Sequence, residues 1–233
     1  MCGRFALTDD EAALMAFLGF GEGGFSDGVA VAPRYNIAPT QPIAILRAGH
    51  GKRQFTFARW GLVPAWVEDP PTFSLLINAR ADGVLEKPAF KNAMRYRRCL
   101  VPASGFFEWQ TRGRSKQPYW IHGREGGPMA FAGLWETWAD ADGGEIDSAC
   151  IITVDANATV RPIHDRMPAI IAPADFDRWL TLPDADEAAT LLRPAPDDLL
   201  EAIQVSNRVN RADDDDPGLI APVARMRTDL FDV

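Results

Sequence analysis

The chain has 233 residues, 47% of them hydrophobic, so it is long enough to bury a full core within one domain. Its 24 basic and 32 acidic residues leave a formal net charge of −8, which argues against a protein that holds duplex DNA by bulk electrostatics. The three cysteines have no paired or metal-type spacing, and we recognise neither a secretion leader nor an apolar run long enough to span a membrane. We therefore expect a cytoplasmic protein with reduced thiols.

The first predicted element is a helix that begins with a capping-box pattern. Thr8 and Glu11 have the required spacing, apolar residues follow, and we expect the helix to end at Gly19 or Gly21. Runs of strand composition come next, and helix-start signals return at Pro173 and at residues 184–187. The strand runs are PIAIL at 42–46, QFTFARW at 54–60, CLVPASGFFEW at 99–109, QPYWI at 117–121, MAFAGLW at 129–135 and ACIITV at 149–154.

This order of elements predicts an α+β fold. We expect a single domain over residues 1–233, with curved, mostly antiparallel β-sheets that are barrel-like and with flanking helices. No internal repeat interrupts the pattern.

Cys2 becomes the N-terminal residue if Met1 is removed, and it then carries an α-amine and a thiol on the same residue. The amine forms an imine with an aldehyde, and the thiol can close onto the same carbon to give a thiazolidine ring. An ordinary buried cysteine is the alternative, and spacing alone leaves both interpretations open.

Two segments contain side chains suited to moving protons. Glu108 lies in the apolar run GFFEW, where a desolvated carboxyl can hold or give a proton; a structural ion pair is the alternative. His164 is followed directly by an acid and a base, which favours it as a proton shuttle, although a lone histidine is usually structural.

Other side chains suit the binding of a sugar-phosphate. Asn78 and Arg80 are two positions apart on a predicted strand, so both point to the same side, with an amide for hydrogen bonding and a guanidinium for phosphate. Trp66 lies in a loop-like segment beside Pro64, where an exposed indole could stack on a base, although most tryptophans belong to cores.

Nine short segments, together, are more specific than any one of them. Their ordered set resembles the SOS-response-associated peptidase family, and the resemblance covers nearly the whole chain. The segments are MCGRF at 1–5, RYNIAP at 34–39, RWGLVPAW at 59–66, INAR at 77–80, GFFEW at 105–109, QPYW at 117–120, FAGLWE at 131–136, IHDRMP at 163–168 and VSNRVN at 205–210.

The resemblance implies a protein that senses abasic sites in single-stranded DNA and crosslinks to them through its mature N-terminal cysteine. The implied thiazolidine shields the lesion and reverses slowly, and AP-lyase activity is left open. Residue by residue, the resemblance makes Cys2 the nucleophile and Asn78, Glu108 and His164 its catalytic neighbours. It also implies that Met1 is removed, either by the protein itself or by a methionine aminopeptidase.

The same resemblance assigns the DNA contacts. Arg4, Arg80 and Arg166 are expected to contact phosphates, while Pro39 and Trp66 shape the path of the strand. We expect abasic single-stranded DNA as the partner, no membrane contact, no metal, no cofactor and a monomer.

One departure from the family pattern follows VSNRVN, where a further basic residue is expected a few positions on. The chain instead has Arg211 followed by an acidic run at 213–216, and Arg211 is the candidate replacement. If it cannot serve, DNA affinity should fall and its salt dependence should become shallower. Four consecutive aspartates are more typical of a solvated turn than of a metal site.

Two rival functions use the same residues differently. A cysteine peptidase acting on other proteins would use Cys2 for acyl transfer and His164 as base, and it would cleave peptides in trans. A non-catalytic single-strand binder would use Trp66 and arginines as a stacking groove, and it would bind intact and abasic strands equally.

Overall fold

Strands dominate the structure, a computed structural model that describes residues 2–20, 31–49 and 52–223. The helices are α1 (Glu11–Leu18), α2 (Lys91–Tyr96), α3 (Phe176–Thr181) and α4 (Ala185–Ala189). The strands are β1 (Phe5–Leu7), β2 (Arg34–Ile37), β3 (Pro42–Gly49), β4 (Lys52–Trp60), β5 (Asn78–Arg80), β6 (Arg98–Ala103), β7 (Gly105–Arg112), β8 (Ser115–Gly123), β9 (Met129–Ala139), β10 (Glu145–Asp155), β11 (Arg166–Pro168) and β12 (Leu200–Gln204).

Five of these strands close into a barrel. Their order is β10-β4-β3-β6-β9, and pairing of β9 with β10 completes the ring. All these pairings are antiparallel except that of β10 with β4, which is parallel. Closure leaves these five strands without an open edge within the ring, and it confirms the predicted α+β fold with curved, mostly antiparallel, barrel-like sheets.

A second sheet has the order β12-β8-β7-β1-β2 and packs against the barrel. Its strand β1 lies between β7 and β2, so the start of the chain is held on both sides. From β1, the Phe5 ring packs edge-on against Trp60 at 5.2 Å and against Phe131 at 6.2 Å, and both partners belong to the barrel. The first residues of the chain are therefore fixed between the sheets.

The run at 99–109, which we predicted as one strand, is two strands in different sheets. Ser104 separates β6 of the barrel from β7 of the second sheet, and its Oγ accepts a hydrogen bond from the Thr8 backbone N–H at 2.7 Å. A Cβ on Gly105 would lie 2.5 Å from the Ile121 carbonyl oxygen, so only glycine fits there. The change of sheet places Glu108 beside the start of the chain.

The first helix begins later than its capping-box pattern predicted. Asp10, and not Thr8, is the N-cap, because its side chain accepts from the Ala13 N–H at 2.8 Å. The predicted end is correct, since Gly19 caps the helix with a φ of 73°. The late helix signals are also confirmed: the 3-10 turn Pro173–Asp175 leads into α3, and Asp184 caps α4. Within the described ranges no helix is long and apolar enough to cross a membrane.

Candidate active site

Cys2 extends from β1 and is buried, with 0% of its surface exposed. Its thiol lies 3.8 Å from the Arg4 carbonyl oxygen, and its own carbonyl accepts from Asn78 Nδ2 at 2.8 Å. Burial raises the pKa of the Cys2 thiol, and the negative charge of Glu108 adds to this effect. The cysteine is thus a neutral thiol with a fixed backbone.

Asn78 is held by a short parallel pairing of β5 with β10, in which it lies opposite Ile151. The preceding carbonyl, of Ile77, accepts from the Trp60 indole at 2.9 Å and from the Ile151 N–H at 3.0 Å. The Asn78 Oδ1 atom is buried and has no hydrogen-bond partner among the described residues. A buried amide oxygen in this state is an acceptor suited to a substrate hydroxyl or amine.

Glu108 lies on β7 with 3% of its surface exposed. Desolvation raises the pKa of its carboxyl, and the charge of His164 partly lowers it. Glu108 and His164 line one cleft of about 420 Å³. The structure therefore brings a carboxyl that tends to keep its proton beside an imidazole, as an acid–base pair requires.

His164 follows a tight turn in which its N–H bonds to the Val160 carbonyl at 3.0 Å. Its Nδ1 accepts from the Arg166 N–H at 3.0 Å, although the Asp165 carboxylate also lies 2.9 Å from Nδ1 and would require a proton there. We favour the first arrangement, because the Arg166 N–H is fixed in β11 whereas the Asp165 side chain is 84% exposed. When the ring is neutral, this arrangement leaves its proton on Nε2.

The three arginines predicted to contact phosphates differ in their partners. Arg4 Nη1 donates to the Asn36 side chain at 2.6 Å and to the Val209 carbonyl at 2.7 Å. Arg166 is paired with Asp155 at 2.8 Å. Arg80 is exposed and has no ion pair within the described part of the chain. Arg80 is thus the guanidinium best placed for a phosphate, and the phosphate contacts of all three remain predictions.

Two further predicted DNA contacts lie at the surface. Trp66 is 60% exposed and rests edge-on against Phe73 at 5.6 Å, a setting that leaves most of the indole accessible. Pro39 is half-buried in the turn between β2 and β3. Both positions suit a contact with a DNA strand, and these two contacts stay predictions.

Sequence reasoning missed three residues that line the cleft of Glu108 and His164. They are Trp109, Lys116 and Asn210. The Trp109 indole donates to Asn210 Oδ1 at 2.7 Å. Trp109 and Asn210 both belong to family-like segments, and Lys116 ends the basic run RGRSK at 112–116. The sequence could not show that residues 109 and 210 are neighbours, because only the fold brings them together.

The acidic run at 213–216 is bound to the protein rather than free in solvent. Asp215 pairs with Arg34 at 3.6 Å, Asp214 with Arg208 at 3.5 Å, and Asp216 also with Arg208. Arg211, the candidate replacement cation, is 77% exposed, and its nearest carboxylate in the described chain is 3.9 Å away. The run therefore neutralises neighbouring arginines and braces the 3-10 turn Asn207–Asn210.

The histidine, cysteine and carboxylate side chains do not form a metal centre in the described ranges, where no group of three or more could hold an ion.

Cys2, the amide of Asn78 that holds its carbonyl, and the cleft that Glu108 and His164 line together form a candidate active site on a barrel-and-sheet domain. Comparison with known families agrees with this class. The chain belongs to the SOS response associated peptidase (SRAP) family, whose model matches residues 1–212. The predicted family resemblance is confirmed.

Curated relatives in distant organisms have related names. The chain is 34% identical to the abasic site processing protein YoqW of Bacillus subtilis, covering 94% of this chain and 99% of that protein. It is 33% identical to the abasic site processing protein HMCES of Gallus gallus, and the match covers 82% of this chain and 66% of that protein. A crystal structure of a protein from Bacteroides thetaiotaomicron superposes with a TM-score of 0.82 at 26% identity, covering 96% of this chain and 100% of that one.

Proposed function

We propose that this chain processes abasic sites in single-stranded DNA and that Cys2, once N-terminal, crosslinks to the lesion as a thiazolidine. The observation that carries the proposal is the placement of Cys2: Asn78 holds its carbonyl at 2.8 Å, and the buried cleft carboxyl Glu108 is near its thiol. Membership of the SRAP family and the names of the relatives support the substrate class.

The proposed reaction begins at the amine of Cys2. The amine adds to the aldehyde carbon of the ring-opened abasic sugar, and the resulting carbinolamine loses water to form an imine. The thiol then adds to the imine carbon: a sulfur–carbon bond forms, the π electrons pass to nitrogen, and the thiol proton follows them. The overall change joins one aldehyde to one cysteine with loss of one water.

Glu108 and His164 supply the protons for these steps. A carboxyl whose pKa is raised by burial keeps a proton that it can give to the leaving hydroxyl of the carbinolamine. His164, with its proton on Nε2, can exchange protons with the same groups. Running in reverse, the same acid and base reopen the thiazolidine, which accounts for slow reversal.

Substrate binding in this scheme uses the groups around the cleft. The buried Oδ1 of Asn78 accepts from the sugar hydroxyl or from the reacting amine. Arg80 contacts a phosphate, and the exposed indole of Trp66 stacks on a neighbouring base. Arg166 reaches a phosphate by exchanging its present partners, because both of its terminal nitrogens are hydrogen-bonded, whereas the known partners of Arg4 use only Nη1.

The peptidase alternative is less well supported by the site. Acyl transfer by a cysteine needs a thiolate, whereas burial raises the pKa of the Cys2 thiol. Removal of Met1 by the chain itself is compatible with the crosslinking proposal and does not require activity on other proteins.

The test is incubation of the Met1-free protein with a single strand that carries one abasic site. We expect a heat-stable adduct whose mass is the sum of both partners less one water. Cys2→Ala should give no thiazolidine, and Cys2→Ser should give only an imine that borohydride traps and that permits strand cleavage by β-elimination.

A matched control is Cys150→Ala, which removes a buried barrel thiol and should leave adduct formation intact. A stable adduct from Cys2→Ala would refute the proposal. Intact mass of the purified chain, measured first, shows whether Met1 has been removed.

A further inference from the structure

Thr40 has a backbone conformation that is unfavourable for its residue type. Its φ is +73°, and within the described ranges it is the only non-glycine residue with a positive φ. Threonine is β-branched, and such residues rarely adopt the left-handed region because Cβ crowds the backbone. A glycine at this position would be unstrained.

The local backbone dictates this conformation independently of the side chain. Residues 38–41 form a turn with Pro39 and Thr40 at its centre, closed by a hydrogen bond from the Gln41 N–H to the Ala38 carbonyl at 3.3 Å. The Thr40 N–H donates to the Trp60 carbonyl at 2.8 Å. Proline followed by a residue with positive φ is the type II pattern, where glycine is the usual second residue. Strained backbone of this kind occurs most often at functional sites, so the threonine side chain is a candidate for a functional role.

Thr40 lies at the edge of the candidate active site. The turn directly follows β2, whose last residue, Ile37, pairs with Phe5 of β1, three residues after Cys2. On its other side, Thr40 bonds to Trp60, whose indole bonds to the residue before Asn78. The turn is thus tied to both of the segments that hold Cys2.

The Thr40 side chain is exposed, and its hydroxyl has no hydrogen-bond partner among the described residues. We infer that this hydroxyl donates to a backbone phosphate oxygen of the bound DNA strand and holds that strand over Cys2. The inference rests on the proposed function and adds a substrate-contacting residue to it. A hydroxyl is uncharged, so this contact contributes affinity without releasing further counterions.

Three variants separate the hydroxyl from the strain. Thr40→Val keeps the shape and the strain but loses the hydroxyl, and it should bind an intact single strand about ten-fold more weakly. Thr40→Gly should show the same loss of affinity while its melting temperature rises by about 2 °C, since the strain is relieved. Thr40→Ser keeps the hydroxyl and should bind within about two-fold of the wild type.

Fluorescence anisotropy on intact single strands measures the affinities, and calorimetry measures the melting temperatures. The slope of affinity against salt should be unchanged in Thr40→Val but shallower in Arg80→Ala. The inference would be overturned if Thr40→Val bound DNA as tightly as the wild type. A lower melting temperature for Thr40→Gly would show that Thr40 is not strained, which is the premise of the inference.

Crosslinking to the abasic strand tells the two proposals apart. Thr40→Val should need more DNA for half-maximal crosslinking while keeping the wild-type rate at saturation. A wild-type chain that never crosslinks, combined with weakened binding by Thr40→Val, would end the proposed function and leave the Thr40 contact standing. If the wild type crosslinks and Thr40→Val binds DNA as tightly as the wild type, the Thr40 contact is ruled out and the proposed function stands.

Discussion

Two ionisable side chains of the candidate site, Cys2 and Glu108, lie almost wholly out of water. Desolvation penalises the charged form of each, so the thiol keeps its proton and the carboxyl tends to do the same. A neutral thiol is protected from adventitious oxidation, since the thiolate is the reactive form. In the proposed reaction the amine of Cys2 therefore begins the chemistry on the incoming aldehyde, and no thiolate has to be present beforehand.

The raised pKa of Glu108 predicts a pH dependence of folding. Above the ordinary carboxyl pKa of 4.5 the unfolded chain releases a proton that folded Glu108 retains, so stability falls as pH rises towards the folded pKa. Glu108→Gln carries no titrating group and should lose this component of the pH dependence. Urea unfolding between about pH 5 and about pH 8 measures the effect.

Glu125→Gln is the matched control, because Glu125 lies on an exposed turn and the substitution is chemically identical. It should follow the wild-type pH profile. If Glu108→Gln follows that profile as well, folded Glu108 does not hold its proton as we describe.

At the scale of elements, the segment 205–216 combines a cleft-lining turn with an acidic run. Asp216 pairs with Arg208 and caps the 3-10 turn Pro217–Leu219 through the Gly218 N–H at 2.9 Å. Asn36 Nδ2 also donates to the Asp214 carbonyl at 2.7 Å. The aspartates therefore order this segment. They also pair with Arg208, which makes that guanidinium less available to a DNA phosphate.

Removing one of these charges should strengthen DNA binding. Asp216→Asn keeps the cap, because asparagine also accepts from an N-terminal N–H, and it leaves Arg208 with one carboxylate partner, Asp214 at 3.5 Å, instead of two. We expect tighter binding to single strands at low salt and a salt slope steeper by up to about 0.7. Asp142→Asn makes the same charge change on the exposed β9–β10 turn and should leave the slope alone. Weaker binding by Asp216→Asn would mean that ordering of the segment matters more than the released cation.

The molecule as a whole has a net charge of −8, so the attraction for DNA must come from a local group of cations and not from the overall charge. Of the cations around the site, Arg80 and Lys116 have no ion pair in the described chain, whereas Arg166 and Arg208 are paired with carboxylates. Few counterions should therefore be released when a single strand binds.

Two phosphate contacts predict a slope of about −1.4 for the logarithm of affinity against the logarithm of salt. Arg80→Ala should reduce its magnitude by about 0.7, while Lys52→Ala, at the far end of β4, should not change it. Binding of an intact strand across a salt series gives the slope. A value beyond about −3 would show that the paired arginines exchange their carboxylates for phosphates.

Local patterns in the sequence predicted much of the fold and the members of the site. The Gly19 cap, the Asp184 helix start and most strand runs depend on residues close in sequence, so their signals are readable without the fold. The ordered family-like segments likewise predicted Cys2, Asn78, Glu108 and His164 as site residues; the structure places them around the start of the chain, and their catalytic roles stay predictions.

The sequence by itself thus determined the family, the α+β class and the chemical groups available for reaction. Only the tertiary structure decided that the barrel closes through β9 and β10, that the run at 99–109 divides at Ser104, and that Arg166 pairs with Asp155. It also decided that Trp109 and Asn210 share a cleft with Glu108. The reason is physical: burial, pKa and ion pairing depend on neighbours that are distant in sequence and become adjacent only when the sheets assemble.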